Sequence, residues 1–262
     1  MSERPLHGTV GLVTGASRGI GAATAWELVR AGAHVVLAAR DEQALNALAG
    51  SIAAAGGQAL PVPTDVRDSG AVAELVERTV THFGRLDLTV NSAGGGHEMA
   101  PVAALETSTF EEAIAVNLRG VFLAMKYQIP AMLASGGGAI VNIASTTGVQ
   151  ATGGLGGYVA AKYGVTGLTK TAALDYAAEG IRVNALAPGP VLTGRLEQAG
   201  RRVQEMAGRA MPMARVGRPE EVAAAARWLC SPEAAYITGA VLPVDGGKLA
   251  GNPPPQRAPE PG

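Results

Sequence analysis

The chain has 262 residues, 47% of them hydrophobic and 16% charged, with 21 Lys and Arg against 22 Asp and Glu for a formal net charge of -1. That apolar content supplies a sizeable core and excludes wholesale disorder, and the balanced charge excludes nucleic acid or an anionic membrane surface as the main partner. A single cysteine, Cys230, excludes a disulfide framework and a Cys-rich zinc site.

Along the chain, β-rich runs alternate with helical ones. Residues 9–13 read as a first buried strand and 20–31 as a helix stopped by Gly32. Strand 34–38 precedes helix 42–55, and a short strand 59–62 precedes helix 72–83, with Gly84 at its end. A fourth strand, 86–90, is followed by a long helical stretch, 110–133, and a fifth strand, 139–143. Helix 158–178 ends at Gly180, strand 181–186 follows, and helix 220–229 and a short strand 240–242 complete the pattern.

Strands apolar on both faces and separated by helices require a parallel sheet covered on both sides. The expected fold class is therefore α/β: one Rossmann-type domain over residues 1–250, a doubly wound parallel seven-stranded sheet with helices on both faces. Residues 251–262 form a Pro-rich tail, expected to be disordered. The irregular stretch 194–217 carries five arginines, at 195, 201, 202, 209 and 215, and reads as part of a substrate loop or lid over 190–217. The first residues carry no apolar segment of a signal peptide, and no apolar run approaches the roughly 18 residues of a membrane span, so a cytoplasmic protein is expected.

Between the first strand and first helix lies Thr14-Gly15-Ala16-Ser17-Arg18-Gly19-Ile20-Gly21. Glycines there permit a tight turn and close approach to a pyrophosphate, which the N–H groups of the helix N-terminus would hold. The spacing is GxxxGxG without a following lysine, which argues against an ATPase-type phosphate loop. At the end of the second strand an acid would bind a ribose 2′-hydroxyl and an arginine a 2′-phosphate. Here Ala39 stands where the acid is needed and Arg40 follows, with Arg18 as a second guanidinium. NADP is expected over NAD; Asp41, one position late, keeps NAD open.

Tyr158 and Lys162 are four residues apart and share one helix face. Ser145 ends the fifth strand, where a parallel sheet forms its ligand crevice. A phenol titrates near ~10, and a neighbouring ammonium would favour its ionised form. The three side chains thus suit proton transfer to or from an oxygen held by the serine.

With these residues, the motifs Asp65-Val66, Asn91-Ser92-Ala93-Gly94, Asn117, Pro188-Gly189 and Val244-Asp245-Gly246-Gly247 resemble the short-chain dehydrogenase/reductase family, over about residues 6–248. The resemblance implies an oxidoreductase that moves a hydride between NADP(H) and a ketone or secondary alcohol. A ketoreductase of a 3-oxoacyl, polyketide or small cyclic ketone substrate is expected. It implies that Tyr158 is the general acid–base, that Ser145 polarises the carbonyl and that Lys162 holds the nicotinamide ribose and lowers the tyrosine pKa. Asn117 would hold a relay water. Gly15, Ser17, Arg18, Gly19, Ile20, Gly21 and Arg40 would bind the cofactor's phosphates, Asp65 and Val66 its adenine, and Asn91, Ala93 and Gly94 its flank. Pro188, Gly189, Val191 and Thr193 would lie along the nicotinamide. A homotetramer, or a dimer, is implied as well. The sequence departs from the family at Ser92, where a second Asn is common, and at Ala144, often a Ser; neither removes a catalytic group.

Alternatives are an NAD-dependent secondary-alcohol or sugar dehydrogenase and a non-catalytic nucleotide-binding regulator. His97, after Gly94-Gly95-Gly96 near the expected pocket mouth, reads as a solvated loop residue, with substrate contact as the alternative, and His7, His34 and His82 are too dispersed for a metal site. Cys230 reads as inert core. Thr147, Gln150, Leu155, Leu192 and Met206 are candidates for a mostly apolar substrate pocket.

Overall fold

A computed structural model describes residues 4–251 apart from the side chain of Arg195; the Pro-rich segment expected to be disordered lies, from residue 252 on, outside the described residues. The strands are β1 (Val10–Thr14), β2 (His34–Ala39), β3 (Ala59–Pro63), β4 (Leu88–Asn91), β5 (Gly138–Ile143), β6 (Ile181–Pro188) and β7 (Val241–Val244). They form one sheet in the order β3-β2-β1-β4-β5-β6-β7, every neighbouring pair parallel. The order reverses between β1 and β4, and a crevice opens there beyond the carboxyl ends of the strands.

Alternation along each strand divides the apolar side chains between two cores. Val13, Val35, Leu37, Leu88, Val90 and Val141 face α1 (Gly19–Arg30), α2 (Glu42–Ala54) and α9 (Pro219–Cys230). Leu12, Val36, Ala38 and Ile140 face α3 (Ser69–Phe83), α5 (Gly120–Ala134) and α6 (Gly156–Tyr176). Each fully buried Leu, Ile or Val contributes about 1.5–3 kcal/mol of transfer free energy. Cys230 is buried and free, and burial pushes its thiol up to about 12, so it is unreactive packing.

Two departures from the sequence expectation bear on the site, as does the excursion after β6. The stretch read as one helix is α4 (Thr107–Ile114), a π-helical turn (Ala115–Arg119) that holds Asn117, and α5. Helix α6 starts at Gly156, two residues early, and Gly157 in its first turn packs closely on α4, where a side chain would meet Phe110 and Ala113 at 3.1–3.4 Å. The excursion after β6 contains α7 (Gly194–Gln198) and α8 (Arg201–Arg209), its neck closed where Leu192 donates to Gly217 and Gly217 to Pro190. Among the described residues no helix is long and apolar enough to cross a membrane.

Candidate active site

A cleft of about 1080 Å3 runs along the carboxyl ends of the strands. Its volume is at the upper end of ligand pockets, room for a dinucleotide and a small substrate. Every residue expected above to hold cofactor or reacting oxygen lines it, with one exception.

The exception is Asn91. Strand β4 runs one residue further than its apolar pattern suggested, so Asn91 is a strand residue whose side chain enters the helix layer. Its amide donates to Gln128 (3.2 Å) and Asn142 (2.9 Å), and Gln128 donates back to it (3.0 Å). Asn142 in turn donates to Thr169 of α6 (3.0 Å). This buried network leaves Ser92, Ala93 and Gly94, beyond the strand end, to line the cleft.

At the glycine turn, Gly15 (φ 68°) and Gly19 (φ 56°) are left-handed, which L side chains rarely tolerate. A Cβ on Gly21 would lie 2.2 Å from the Gly15 carbonyl oxygen, so α1 packs directly on the turn. No side chain caps α1, and its first-turn N–H groups and positive dipole end face the cleft, as a pyrophosphate requires. At the end of β2, the Asp41 carboxylate accepts the Ala44 N–H as the N-cap of α2 (3.0 Å). Arg40 lines the cleft, and no carboxylate of the described residues pairs with it; its charge is felt at Asp65. Asp65 is gripped by Arg67, whose Nε contacts both carboxylate oxygens at 3.0 Å and whose second nitrogen reaches 2.6 Å. That grip holds the carboxyl below its ordinary pKa and uses most of its acceptor capacity.

At the inner end, Tyr158 and Ser145 line the cleft together, the serine hydroxyl near enough to oppose the rise of the phenol pKa. The Ser145 Oγ accepts the Thr147 N–H (3.2 Å), which fixes its rotamer. Lys162 is 3% exposed; its Nζ donates to the Ile143 carbonyl (2.7 Å) and lies 5.5 Å from the Tyr158 ring centre. Burial lowers Lys162 to about 8. The expectation that Lys162 lowers the tyrosine pKa is corrected: burial raises it, against the opposing pull of the Ser145 hydroxyl. Desolvation of the phenolate outweighs an ammonium that is bonded elsewhere. Asn117 braces the glycine loop, its Oδ1 accepting the Gly95 N–H (3.0 Å) and its Nδ2 donating to the carbonyls of Gly95 (3.1 Å) and Ala113 (3.0 Å). A Cβ on Gly94 would come within 2.6 Å of that Oδ1 and 3.5 Å of the lysine Nζ, so this position must be glycine.

His97 is also corrected. It lines the cleft, its Nε2 accepting the backbone N–H of Tyr158 (3.3 Å) and its Nδ1 lying 2.6 Å from the Glu98 carbonyl. None of the substrate-pocket candidates Thr147, Gln150, Leu155, Leu192 and Met206 lines the cleft. Thr147 is turned into the protein and buried, while Met206 on α8 is 63% exposed.

A family model described as "Enoyl-(Acyl carrier protein) reductase" matches residues 15–248. The A-factor type gamma-butyrolactone 1'-reductase (1S-forming) of Streptomyces virginiae is 43% identical over 245 residues, 91% of this chain and 94% of that protein. The chain belongs to the short-chain dehydrogenase/reductase family. The cis-4-hydroxycyclohexanecarboxylate dehydrogenase of Sinomonas cyclohexanicum is also 43% identical, over 92% of this chain and 96% of its own. The crystal structure of levodione reductase superposes with a TM-score of 0.90 at 34% identity, covering 94% of this chain and 99% of that one. As a short-chain dehydrogenase/reductase, the protein is an oxidoreductase acting on alcohol and carbonyl groups with a nicotinamide nucleotide.

Proposed function

We propose that the protein is an NADP(H)-dependent ketoreductase of small cyclic ketones, working reversibly on the corresponding secondary alcohols. The observation that carries this reading is the pair of Ser145 and Tyr158 hydroxyls in a cleft that is also lined by Arg40, which no carboxylate of the described residues pairs. The nicotinamide nucleotide supplies or accepts the hydride when bound. Ser145 holds the substrate oxygen. Tyr158 gives its proton to that oxygen in reduction and takes it back in oxidation. Burial keeps Tyr158 protonated at neutral pH, the form that gives its proton to the substrate oxygen. Lys162 would hold the nicotinamide ribose, and Asn117 would keep the Gly94-Gly95 loop in place beside it. The excursion 190–217 would cover the substrate.

NADP is supported by two features: Arg40 lines the cleft at the end of β2, and Asp41, the carboxylate nearest to a ribose-binding position, is engaged in capping α2. A cyclic substrate is supported by the names of the relatives, a butyrolactone reductase and a hydroxycyclohexanecarboxylate dehydrogenase. A homotetramer is part of the same reading, supported by exposed Phe122 on α5 and Tyr163 and Leu174 on α6.

Fluorescence titration with NADPH and NADH tests the cofactor assignment. NADPH is expected to bind at least tenfold more tightly, and Arg40→Ala to erase about tenfold of that preference, as loss of a charge-assisted contact of roughly 1.5 kcal/mol would. Equal or tighter NADH binding would overturn the assignment, and binding of neither would remove the nucleotide reading altogether.

A further inference from the structure

Helix α6 carries both Tyr158 and Lys162, so the placement of its first turn sets the position of the phenol. The first turn of any helix has N–H groups without intrahelical acceptors. Here the N-cap residue, Leu155, offers no side-chain acceptor. The Tyr158 N–H is met instead by the imidazole Nε2 of His97, 61 residues earlier in the chain, at 3.3 Å. The other ring nitrogen faces the Glu98 carbonyl at 2.6 Å, and a carbonyl only accepts, so Nδ1 carries the proton and Nε2 is the lone-pair nitrogen.

We propose that His97 is a positioning residue for Tyr158: as the neutral Nδ1–H imidazole it caps the first turn of α6 from across the cleft, and it releases that turn when it takes up a second proton. A protonated ring would set a donor against the Tyr158 N–H and a positive charge at the positive end of the helix dipole. The ring touches Tyr158 and Glu98 through their backbones, and the titratable groups Lys162 on α6 and Glu112 on α4, the latter bound to Arg67, line the same cleft. The inference rests on the reading of Tyr158 as the proton donor.

Two experiments on the full chain test it. In the first, which needs no substrate, nitrogen-15 NMR of histidine-labelled protein reads the ring tautomer. The neutral Nδ1–H form is expected above pH 8, with the Tyr158 amide protected from exchange until the ring protonates; an Nε2–H tautomer would overturn the proposal. The second compares wild type, His97→Leu and His97→Asn in NADPH-driven reduction of cyclohexanone across the pH range. His97→Leu is expected to lower kcat roughly tenfold, the scale of a lost helix cap at a reacting group, with NADPH affinity unchanged. His97→Asn keeps an acceptor that does not titrate, so it is expected to restore kcat to within about threefold and to abolish the acid limb. If both variants lose NADPH affinity and thermal stability alike while the shape of the pH profile persists, His97 only supports its loop and the proposal fails. Tyr158→Phe separates the two readings: if it remains active, the proton-donor assignment fails, whereas an inactive Tyr158→Phe beside unaffected His97 variants removes the present inference alone.

Discussion

Helix α6 serves two buried polar clusters. Toward its middle, Thr169 joins Asn91, Gln128 and Asn142; at its start, Tyr158 and Lys162 join Ser145. The first cluster is neutral and its amides are reciprocally bonded, from Asn91 through to the Thr169 hydroxyl, which donates to the Val165 carbonyl (2.8 Å). The second cluster holds an ammonium with a lowered pKa and a phenol with a raised one. A satisfied network specifies the packing of β4, β5 and α5 and does nothing else. The second, whose members ionise and line the cleft, keeps capacity for a ligand and a proton, and so marks the chemistry.

Four changes would break or sharpen that contrast. Tyr158→Phe removes the proton donor but no packing, and is expected to cost about 10³ in kcat with NADPH binding and thermal midpoint nearly unchanged. Lys162 comes next. Its native pKa of about 8 lies below the ordinary 10.5, so between these values the unfolded chain binds more protons and stability rises with pH. The rise amounts to about 3 kcal/mol in wild type. It should be absent from denaturant titrations of Lys162→Met. In the neutral cluster, Gln128→Leu strands the buried Asn91 Oδ1, and a loss of about 2 kcal/mol is expected in urea unfolding, with the pH profile of kcat unmoved. The smallest effect belongs to Thr89 on β4, a buried hydroxyl with no partner among the described residues. Thr89→Val is expected to stabilise by up to about 1 kcal/mol in the same assay.

The sheet, its parallel sense and the two-sided core were legible because β-branched runs and helical runs have different periods. The glycine turn and the Tyr158–Lys162 pair were legible because each is local: a strand–turn–helix junction and a four-residue helical spacing. Asn91 was misplaced by one residue of strand length, since a side chain inside β4 faces a helix layer and one beyond it faces the cleft. Its partner in alternation, Thr89, lies on the same face, and that two-residue period was the available signal. His97 offered no local signal, because its contact with Tyr158 spans 61 residues. The opposed shifts of Tyr158 and Lys162 were out of reach for a related reason: they depend on burial, which residue identity and spacing alone do not state.

The π-helical turn between α4 and α5 has a genealogical consequence. Such a turn is what an ordinary helix becomes when one residue is inserted and the flanking faces stay in phase. Asn117 can therefore be brought to the cleft, or withdrawn from it, by a single-codon insertion or deletion that leaves the apolar stripe of α5 seated on the sheet. In this chain the part of the site nearest to Lys162 and the scaffold beneath it can drift apart in evolution, one by changes of length and the other by changes of side chain.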